Sequence, residues 1–401
     1  MKKSSKSVLR VSGHDQGATD VQANWSGVLA MSLCVFTLVA SEFMPVSLLT
    51  PLSQDLTISE GEAGQGIAIS GALAVLTSLS IRMLAGKLDR KILLMILTVL
   101  MAVSGVIVAL TPNYSVYMLG RGLLGIVIGG FWSISAATAM RLVPTEKVAK
   151  ALAIFNGGNA LAVVIAAPLG SYLGSVIGWR GAFLCLTPIA ILALIWQGMS
   201  LPSMNPKVST ENPMTLRRFL RDNKIAIGIS GCGLFFLGQF SLYTYIRPFL
   251  EGITHVDVSM LSMILLLIGI FGVVGTSLIG LLIKRNLYRT LCVIPLIMSA
   301  VGASLLLLGA HIVPVIILLS LWGLVATSAP VGWWAWIARV APDHAEVGGG
   351  LMVAVVQFSI ALGSTLGGAL YDRGGFALTF SLSMVILIVS ALLTYITSRL
   401  K

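Results

Sequence analysis

The residues of this sequence that could do chemistry are, first of all, two opposite charges inside apolar stretches. Glu42 lies in the apolar run 25–49, and Arg121 lies in the apolar run 114–137. A charged side chain at membrane depth is costly, so it normally faces protein or water and marks a functional site. We therefore predict that Glu42 carries a proton whose movement is coupled to that of a solute. Arg121 would set the charge state of Glu42.

The two charges also share a depth. Glu42 lies about eight residues from one end of its run and Arg121 about seven from the matching end of its own, so both lie about 10 to 12 Å below the same surface. A structural ion pair, or a first helix that ends before Glu42, is the alternative interpretation. The functional one is favoured because Gln239 occupies the position equivalent to Glu42 in the second half of the chain. A purely architectural pair would be expected in both halves.

Uncharged polar side chains form the second group of candidates. Asn159 and Gln357 each lie about ten residues into an apolar run, and Gln239 and Tyr243 lie in the run 225–248. Amides and phenols suit a hydroxylated heterocycle, so we predict that these four residues contact a polar substrate. The alternative is that they hydrogen-bond only to neighbouring helices.

The composition indicates a membrane environment for these residues. Of the 401 residues, 57% are hydrophobic and 10% are charged, and the mean hydropathy is +0.96. Soluble domains average about 45 to 50% apolar residues and about 25% charged residues. The net charge of +11 does not indicate a nucleic-acid partner, because the basic residues are spread over the links between apolar runs. The four cysteines fit no metal or disulfide pattern, so we expect no metal site. We also expect no cofactor other than a proton gradient, and no enzymatic activity.

Twelve apolar runs, each near the length of about 20 residues that crosses a bilayer, follow one another along the chain. They span residues 25–49, 62–84, 92–110, 114–137, 149–173, 181–199, 225–248, 258–283, 291–309, 312–337, 348–370 and 377–396. The predicted fold class is therefore an all-α integral membrane protein with twelve transmembrane helices.

Basic residues indicate how these helices are oriented. Of the 26 Lys and Arg residues, all but Arg121, Arg180, Arg247 and Arg373 lie in the tail, in alternate links or at the C-terminus. Cytoplasmic links are the ones enriched in Lys and Arg, so we place both termini in the cytoplasm. The predicted segments are a cytoplasmic tail 1–24, an N-terminal six-helix half 25–200, a cytoplasmic linker 201–224 and a C-terminal six-helix half 225–401.

The two halves repeat each other. Residues 42–43, 89–90, 141–144 and 169–173 align with 239–240, 284–285, 339–342 and 366–370, at offsets of 195 to 198. Asn159 and Gln357 are related by an offset of 198 and should occupy equivalent positions. Parallel duplication of a six-helix unit places the substrate site near the bilayer midplane between the halves, where the two amides would face each other.

The chain resembles the major facilitator superfamily, in particular its drug:proton antiporter group with twelve helices, over essentially everything after residue 24. The motif AGKLDRK (85–91) is similar to the family's loop between helices 2 and 3, LxRxxxG (119–125) to its helix 4 motif, and GWR (178–180) to the segment before helix 6. The resemblance implies a gating role for Asp89 and Arg90, although Ala85 and Lys87 depart from the loop motif.

The glycine-rich fifth helix is similar to the antiporter signature of that group. It departs from the signature at Ala167, and its next glycine comes one place early. Pro168 and Gly170 would then provide a helix hinge, with plain helix packing as the alternative.

Four further segments are similar to bacterial exporters of purine ribonucleosides. They are EFMPVSLLTP (42–51), GGFW (129–132), MRLVP (140–144) and TYIRP (244–248). This resemblance implies proton-driven antiport of inosine, guanosine and related nucleosides across the bacterial inner membrane, by a functional monomer whose partners are substrate, protons and lipid.

Two kinds of alternative stay open. Export of drugs or sugars is the alternative within transport, and a membrane sensor or uncoupled channel is the alternative outside it. The links between the predicted helices are too short for a soluble signalling domain of about 50 residues, which disfavours a sensor.

Overall fold

The computed structural model describes residues 23–84, 86, 88–205, 221–341 and 345–400. Over this part of the chain the secondary structure is helix and turn, with no strand. The helices are α1 (Trp25–Leu56), α2 (Glu60–Leu84), α3 (Arg90–Ala109), α4 (Tyr114–Arg141), α5 (Val148–Leu184), α6 (Leu186–Ser200), α7 (Asn223–Tyr243), α8 (Ile246–Gly252), α9 (Val258–Leu308), α10 (Ile312–Ala326), α11 (Ala329–Val340) and α12 (Ala345–Arg399). The predicted all-α fold class is confirmed.

The helix lengths are consistent with the twelve predicted membrane spans. The described residues contain nine helical segments that are long and apolar enough to cross a membrane. Three of them, Thr145–Ser200, Val258–Leu308 and Gly348–Arg399, have 56, 51 and 52 residues, more than twice the length that one crossing requires. Each of these three contains two predicted runs and is divided by non-helical backbone, at Gly178, at Asn286 and at Gly374 with Gly375.

Two of these divisions depend on glycine. Gly178 has a φ of 75° and Gly375 a φ of 64°, in the left-handed region that residues with a Cβ rarely adopt. The chain therefore leaves one span and enters the next within one or two residues.

Two predicted helices that were expected to be continuous are interrupted in the structure. The run 225–248 is divided into α7 and α8, and the run 312–337 into α10 and α11. Pro248 and Pro330 explain both breaks, because proline has no N–H for the carbonyl four residues earlier and its ring crowds that carbonyl. α7 and α10 end at or next to the residues that carry these carbonyls.

The buried apolar side chains form two clusters. One is built from α1 to α6 together with Tyr245. The other is built from α7 to α12 together with Val46, Ile67 and Ala167. The few residues that join the opposite cluster lie where the two groups of helices meet. The predicted segment boundaries themselves stay predictions.

We call the end of the bundle that carries residues 201–205 and 221–223 the linker end, and the opposite end the far end. Among the described residues, the hydrogen bonds between the two halves pair Glu42 with Gln357, Ser47 with Arg247, Ser59 and Gly61 with Asp372, and Gln65 with Thr365. All of them lie on the far-end parts of α1, α2, α8 and α12, or on the turns that join these helices. The halves are therefore joined at the far end.

Several predictions fall on residues outside the described part of the chain. They concern most of the tail, the linker residues 206–220, Ala85 and Lys87 of the loop motif, and residues 342–344. These predictions stay predictions.

Candidate functional site

Glu42 lies in the far-end part of α1 and is 5% exposed. Gln357 of α12, which is 7% exposed, donates from Nε2 to Oε1 of Glu42 at 3.1 Å. Gly71 of α2 packs against the backbone carbonyl of Gln357 with no room for a side chain, which brings α2 and α12 together at this level. Two residues to which the sequence analysis assigned separate roles, proton coupling and substrate binding, are therefore in direct contact across the halves.

Arg121 lies in α4 and is 1% exposed. Its guanidinium donates to three backbone carbonyls, from Nε to Gly66 at 3.0 Å, from Nη1 to Ser41 at 2.7 Å and from Nη2 to Glu42 at 3.1 Å. The Ser41 carbonyl is free for this contact because Pro45, four residues later, has no N–H to donate. Arg121 thus completes the hydrogen bonding of α1 at Ser41, the residue before the one that carries the carboxylate.

The predicted association of Arg121 with Glu42 takes a different form from an ion pair. The guanidinium binds the backbone of Glu42, and its charge acts on the carboxylate through space. The carboxylate can therefore gain or lose a proton without breaking a hydrogen bond of the guanidinium.

Asn159 lies in α5 and is half-buried. Its neighbour Gly158 packs against the carbonyl of Ser32 in α1, and Ser32 precedes Glu42 by ten residues, about 15 Å of helix. Within the described residues the Asn159 side chain has no hydrogen-bond partner. Gln357 reaches the first half at Glu42, whereas Asn159 lies nearer the linker end, so the structure does not bring the two amides together.

The other predicted substrate residues lie on one face of α7. Gln239 and Tyr243 are half-buried and four residues apart, which places them on neighbouring turns. Between them Phe240 stacks on Phe43 of α1 with ring centroids 5.7 Å apart, and Tyr243 packs edge-on against Phe240 at 6.2 Å. Oε1 of Gln239 is buried without a hydrogen-bond partner in the described part of the chain. An aromatic contact between the halves therefore lies beside Glu42 and Gln239.

Asp89 and Arg90 lie at the start of α3, at the linker end. The Asp89 carboxylate accepts from the N–H of Lys91 and of Met204, both at 2.7 Å, and from the Ser203 hydroxyl. The Arg90 N–H donates to the Met204 carbonyl at 2.9 Å. Burial opposes ionisation, but these hydrogen bonds outweigh it and hold the pKa of Asp89 below its usual value. The contact is therefore present at neutral pH and lost as the pH falls through that pKa. A gating role stays a prediction.

Pro168 and Gly170 lie in a part of α5 that is helical throughout. Gly170 packs against the Ser47 side chain of α1. Pro168 leaves the carbonyl of Val164 without its helical partner, and Val164 lies against Gly269 of α9. Both residues thus lie where α5 meets a neighbouring helix, and the hinge role stays a prediction.

A second arginine at the interface had no predicted role. Arg247 in α8 is 6% exposed, pairs with Glu251 at 2.8 Å and donates from Nη1 to the carbonyl of Ser47 in α1. That carbonyl lacks a helical partner because Pro51 follows it by four residues. The available signal was a proline inside an apolar run together with a basic residue outside the cytoplasmic links.

Polar contacts near the far surface were also absent from the sequence-based prediction. Asp372 accepts from the Ser59 hydroxyl at 2.7 Å and from the Gly61 N–H at 3.0 Å, at the start of α2. Tyr245 donates to the Ser364 carbonyl at 2.8 Å. A cavity of about 470 Å³, lined by Thr50, Pro51, Gln54, Glu60, Arg247, Pro248, Glu251, Gly252 and Tyr371, lies beside these contacts. No local pattern indicates such pairs, because the partners are far apart in sequence.

A metal centre has no candidate in the described part of the chain. These residues contain no group of three or more His, Cys, Asp or Glu side chains placed to hold a metal ion. The expectations of no metal and no cofactor stay predictions. What the arrangement offers is a buried carboxylate, an amide that crosses the interface and an aromatic pair beside them.

Comparison with known proteins gives consistent matches over nearly the whole chain. The family model described as Major Facilitator Superfamily matches residues 31–361. A Pseudomonas aeruginosa protein named transcription regulatory protein OpdE is 59% identical over 381 residues, which cover 94% of this chain and 95% of that protein. The purine ribonucleoside efflux pump NepI of Escherichia coli K12 is 38% identical over 378 residues, which cover 94% of this chain and 95% of NepI.

The fold also matches a solved structure. A bacterial homologue of the human lysosomal transporter Spinster, described as inward-facing and unoccupied, superposes with a TM-score of 0.77 at 15% identity. The match covers 96% of this chain and 98% of that protein. At this identity the likeness concerns the fold alone.

Proposed function

The chain belongs to the major facilitator superfamily and is a multi-pass membrane transporter, and from this premise we propose that it exports purine ribonucleosides such as inosine and guanosine in exchange for protons. The similarity to NepI, over 94% of the chain, supports the substrate class. A small-molecule substrate also agrees with the polar side chains at the interface between the halves.

The observation that carries the proposal is the hydrogen bond between Glu42 and Gln357. It joins the two halves through a buried carboxylate, and alternating access consists of one half moving against the other. A proton shifts such an equilibrium only if it binds one conformation better than the other. Protonation of a group that bonds across the interface meets this requirement, because the bond has to change when the halves separate.

We assign the site residues to two roles. Glu42 carries the coupling proton, and Arg121 supplies a fixed positive charge next to it. Asn159, Gln239, Tyr243 and Gln357 bind the nucleoside by hydrogen bonds and ring contacts. Asp89 and Arg90 belong to a gating loop, and Pro168 and Gly170 to a flexible part of α5.

The proposal also includes the orientation of the protein in the membrane. With both termini in the cytoplasm of a bacterial cell, the linker end faces the cytoplasm and the far end faces the periplasm. The hydrogen bonds between the halves then close the periplasmic side. A nucleoside would enter this conformation from the cytoplasm, and a proton would enter the opposite conformation from outside.

A second candidate function follows from the name of the 59% identical relative, a transcription regulatory protein. In that case the same helical bundle would bind a small molecule and influence gene expression without coupled transport. Export of drugs or sugars is the further alternative within transport. Uptake of labelled compounds into inside-out vesicles separates these possibilities.

Uptake into inside-out membrane vesicles tests the proposed function. Labelled inosine, guanosine, a cationic drug and a sugar are presented with and without an imposed proton gradient, acidic inside. We expect accumulation of the nucleosides that depends on the gradient and exceeds that of vesicles without the protein. Accumulation of the drug or the sugar in place of nucleosides would contradict the substrate class. No transport of any compound, with altered transcription in a deletion strain, would favour the regulatory function.

A further inference from the structure

The amide of Gln357 has one end bound and one end without a partner. Its Nε2 donates to Oε1 of Glu42, whereas its own Oε1 is buried and meets no donor in the described part of the chain. A buried acceptor without a donor is destabilising, and such atoms in proteins usually find a partner in water or a ligand. The unpaired Oε1 of Gln357 therefore indicates a place where a donor binds.

The charge of Glu42 determines which end of this amide faces it. An ionised carboxylate only accepts hydrogen bonds, so it selects the NH₂ end, and the carbonyl end must point away. A protonated carboxyl group carries an O–H that donates, and it can bind the carbonyl end instead. Rotation of the amide by half a turn exchanges the two ends. Protonation of Glu42 thus changes what Gln357 presents on its other side from an acceptor to a donor.

We propose that Gln357 transmits the protonation state of Glu42 to the substrate by this change of hydrogen-bonding character. The inference rests on the proposed function and names its recognition chemistry, the ring N–H of a 6-oxopurine nucleoside. With Glu42 ionised, Oε1 of Gln357 accepts from N1–H of inosine or guanosine. With Glu42 protonated, an NH₂ group faces that N–H, two donors oppose each other, and affinity falls. Proton and nucleoside then exclude each other without sharing an atom.

The surroundings of Gln357 suit a purine base. Phe43, next to Glu42, stacks on Phe240 of α7, which gives an aromatic surface at the same interface. In the described part of the chain, Gln239 contributes a second buried amide oxygen without a hydrogen-bond partner. Guanine carries two adjacent donors, N1–H and the 2-amino group, and could supply one to each oxygen, whereas hypoxanthine carries N1–H alone and could supply a donor to one of them.

Most of the other charged and titratable groups around this pair have partners or lie elsewhere, whereas the buried Tyr117 hydroxyl has no hydrogen-bond partner in the described part of the chain. Those on the elements packed against it are Tyr117 and Arg121 on α4, Tyr243 on α7, Tyr245 at the start of α8, and Arg247 with Glu251 on α8. Arg121 is bound by carbonyls, Tyr245 by Ser364, and Arg247 by Ser47 and Glu251. Charged residues of α1, α2, α5 and α12 near the far surface are Asp55, Glu60, Glu62, Arg180, Asp372 and Arg373. Among the described residues, Gln357 and Arg121 are the groups that act on the Glu42 carboxylate.

Binding to the purified full-length protein in lipid nanodiscs tests the inference. Inosine and 1-methylinosine, which lacks the N1–H donor, compete with labelled inosine from mildly alkaline to mildly acidic pH. At alkaline pH we expect inosine to bind about ten-fold or more tightly than 1-methylinosine, the effect of leaving a buried acceptor unpaired. At acidic pH we expect this preference to disappear.

A near-isosteric variant that has no donor and only a weak acceptor adds a second measurement. Gln357→Met should lose both the preference for inosine and the pH dependence of inosine affinity. Gln197→Met is the matched control, because Gln197 is a buried amide on α6 that contacts Thr98 within the first half. The control should keep both properties.

Two results would overturn the inference. Equal affinity of the unaltered protein for inosine and 1-methylinosine at alkaline pH is the first and needs no variant. A wild-type pH dependence in folded Gln357→Met is the second. If vesicles still accumulate nucleosides when either is seen, the inference alone fails. If the protein neither binds nor transports any nucleoside, the proposed function fails with it.

Discussion

Glu42 and Arg121 have separable contacts in this structure. The Arg121 guanidinium is satisfied by the carbonyls of Gly66, Ser41 and Glu42. The Glu42 carboxylate is bound by Gln357. A change of the carboxylate therefore leaves the hydrogen bonds of the arginine intact, and the two residues can be tested one at a time.

The prediction for these two residues concerns Glu42→Gln, which removes the titratable group and keeps the size of the side chain. The variant should still exchange labelled for unlabelled nucleoside, because binding and the movement of the halves do not require a proton. It should lose accumulation driven by a proton gradient, because no group then changes its protonation between the two conformations. Both quantities are measured in the same vesicles.

Glu62→Gln is the control for this change. Glu62 lies in the first turn of α2, where it accepts from the Ser59 N–H, so its replacement should leave accumulation in place. If Glu42→Gln still concentrates nucleoside with normal pH dependence, the coupling site lies elsewhere and Glu42 is a structural partner of Gln357.

Among the helices, α1 has two backbone carbonyls that lack a helical donor because a proline follows each of them by four residues. An arginine binds each of these carbonyls. Pro45 releases the carbonyl of Ser41 to Arg121 from the same half. Pro51 releases the carbonyl of Ser47 to Arg247 from the other half. Proline acts here by removing an N–H, so one helix supplies acceptors both within its half and across the interface.

The corresponding prediction is that Pro51→Ala weakens the closed far end. The restored N–H competes with Arg247 for the Ser47 carbonyl, and a hydrogen bond to a charged group contributes about 1.5 to 3 kcal/mol. A loss of this size shifts a two-state population by about ten-fold or more. Spin labels at Pro112 and Ala310, two exposed far-end positions on opposite halves, should report a longer distance in a variant that lacks the native cysteines.

Pro45→Ala is the matched control, because its released carbonyl is bound from within the same half. It should leave the distance between the labels unchanged. An unchanged distance in Pro51→Ala as well would mean that the contact of Arg247 with Ser47 does not hold the halves together.

At the scale of the whole molecule, the far end is where the two halves are joined. The polar contacts near its surface, from Ser59 and Gly61 to Asp372, lie beyond those of Glu42 and Arg247. Transport to the far side requires all of these contacts to open, which is a movement of entire halves. The direction of transport therefore depends on which side of the membrane the far end faces.

The prediction at this scale is that the far end is periplasmic and the linker cytoplasmic. The excess of Lys and Arg in alternate links is the physical reason, since such links stay in the cytoplasm. A membrane-impermeant maleimide added to intact cells should label Ala310→Cys and spare Ser209→Cys. In inside-out vesicles the pattern should reverse. Labelling of Ser209→Cys in intact cells would contradict the orientation and the direction of export with it.

From the sequence alone we could predict twelve spans, with which the helix lengths are consistent, a repeat between the halves, and the cost of Glu42 and Arg121 at membrane depth. The spans and the cost follow from the apolar length of each run and from the desolvation of a charge, which are local to a segment. The repeat follows from offsets that can be read directly in the sequence. The proline breaks before Pro248 and Pro330 are equally local and could have been read from the same runs.

Which groups meet depends on how the helices of the two halves pack together. The repeat made Asn159 and Gln357 equivalent, but Gln357 contacts Glu42 and Asn159 lies nearer the linker end. Arg121 was expected to act on Glu42 and binds its backbone, and Arg247 had no predicted role. The reason is physical: a repeat defines positions within each half, whereas contacts between halves depend on their relative placement, and this placement is what a transporter changes during its cycle.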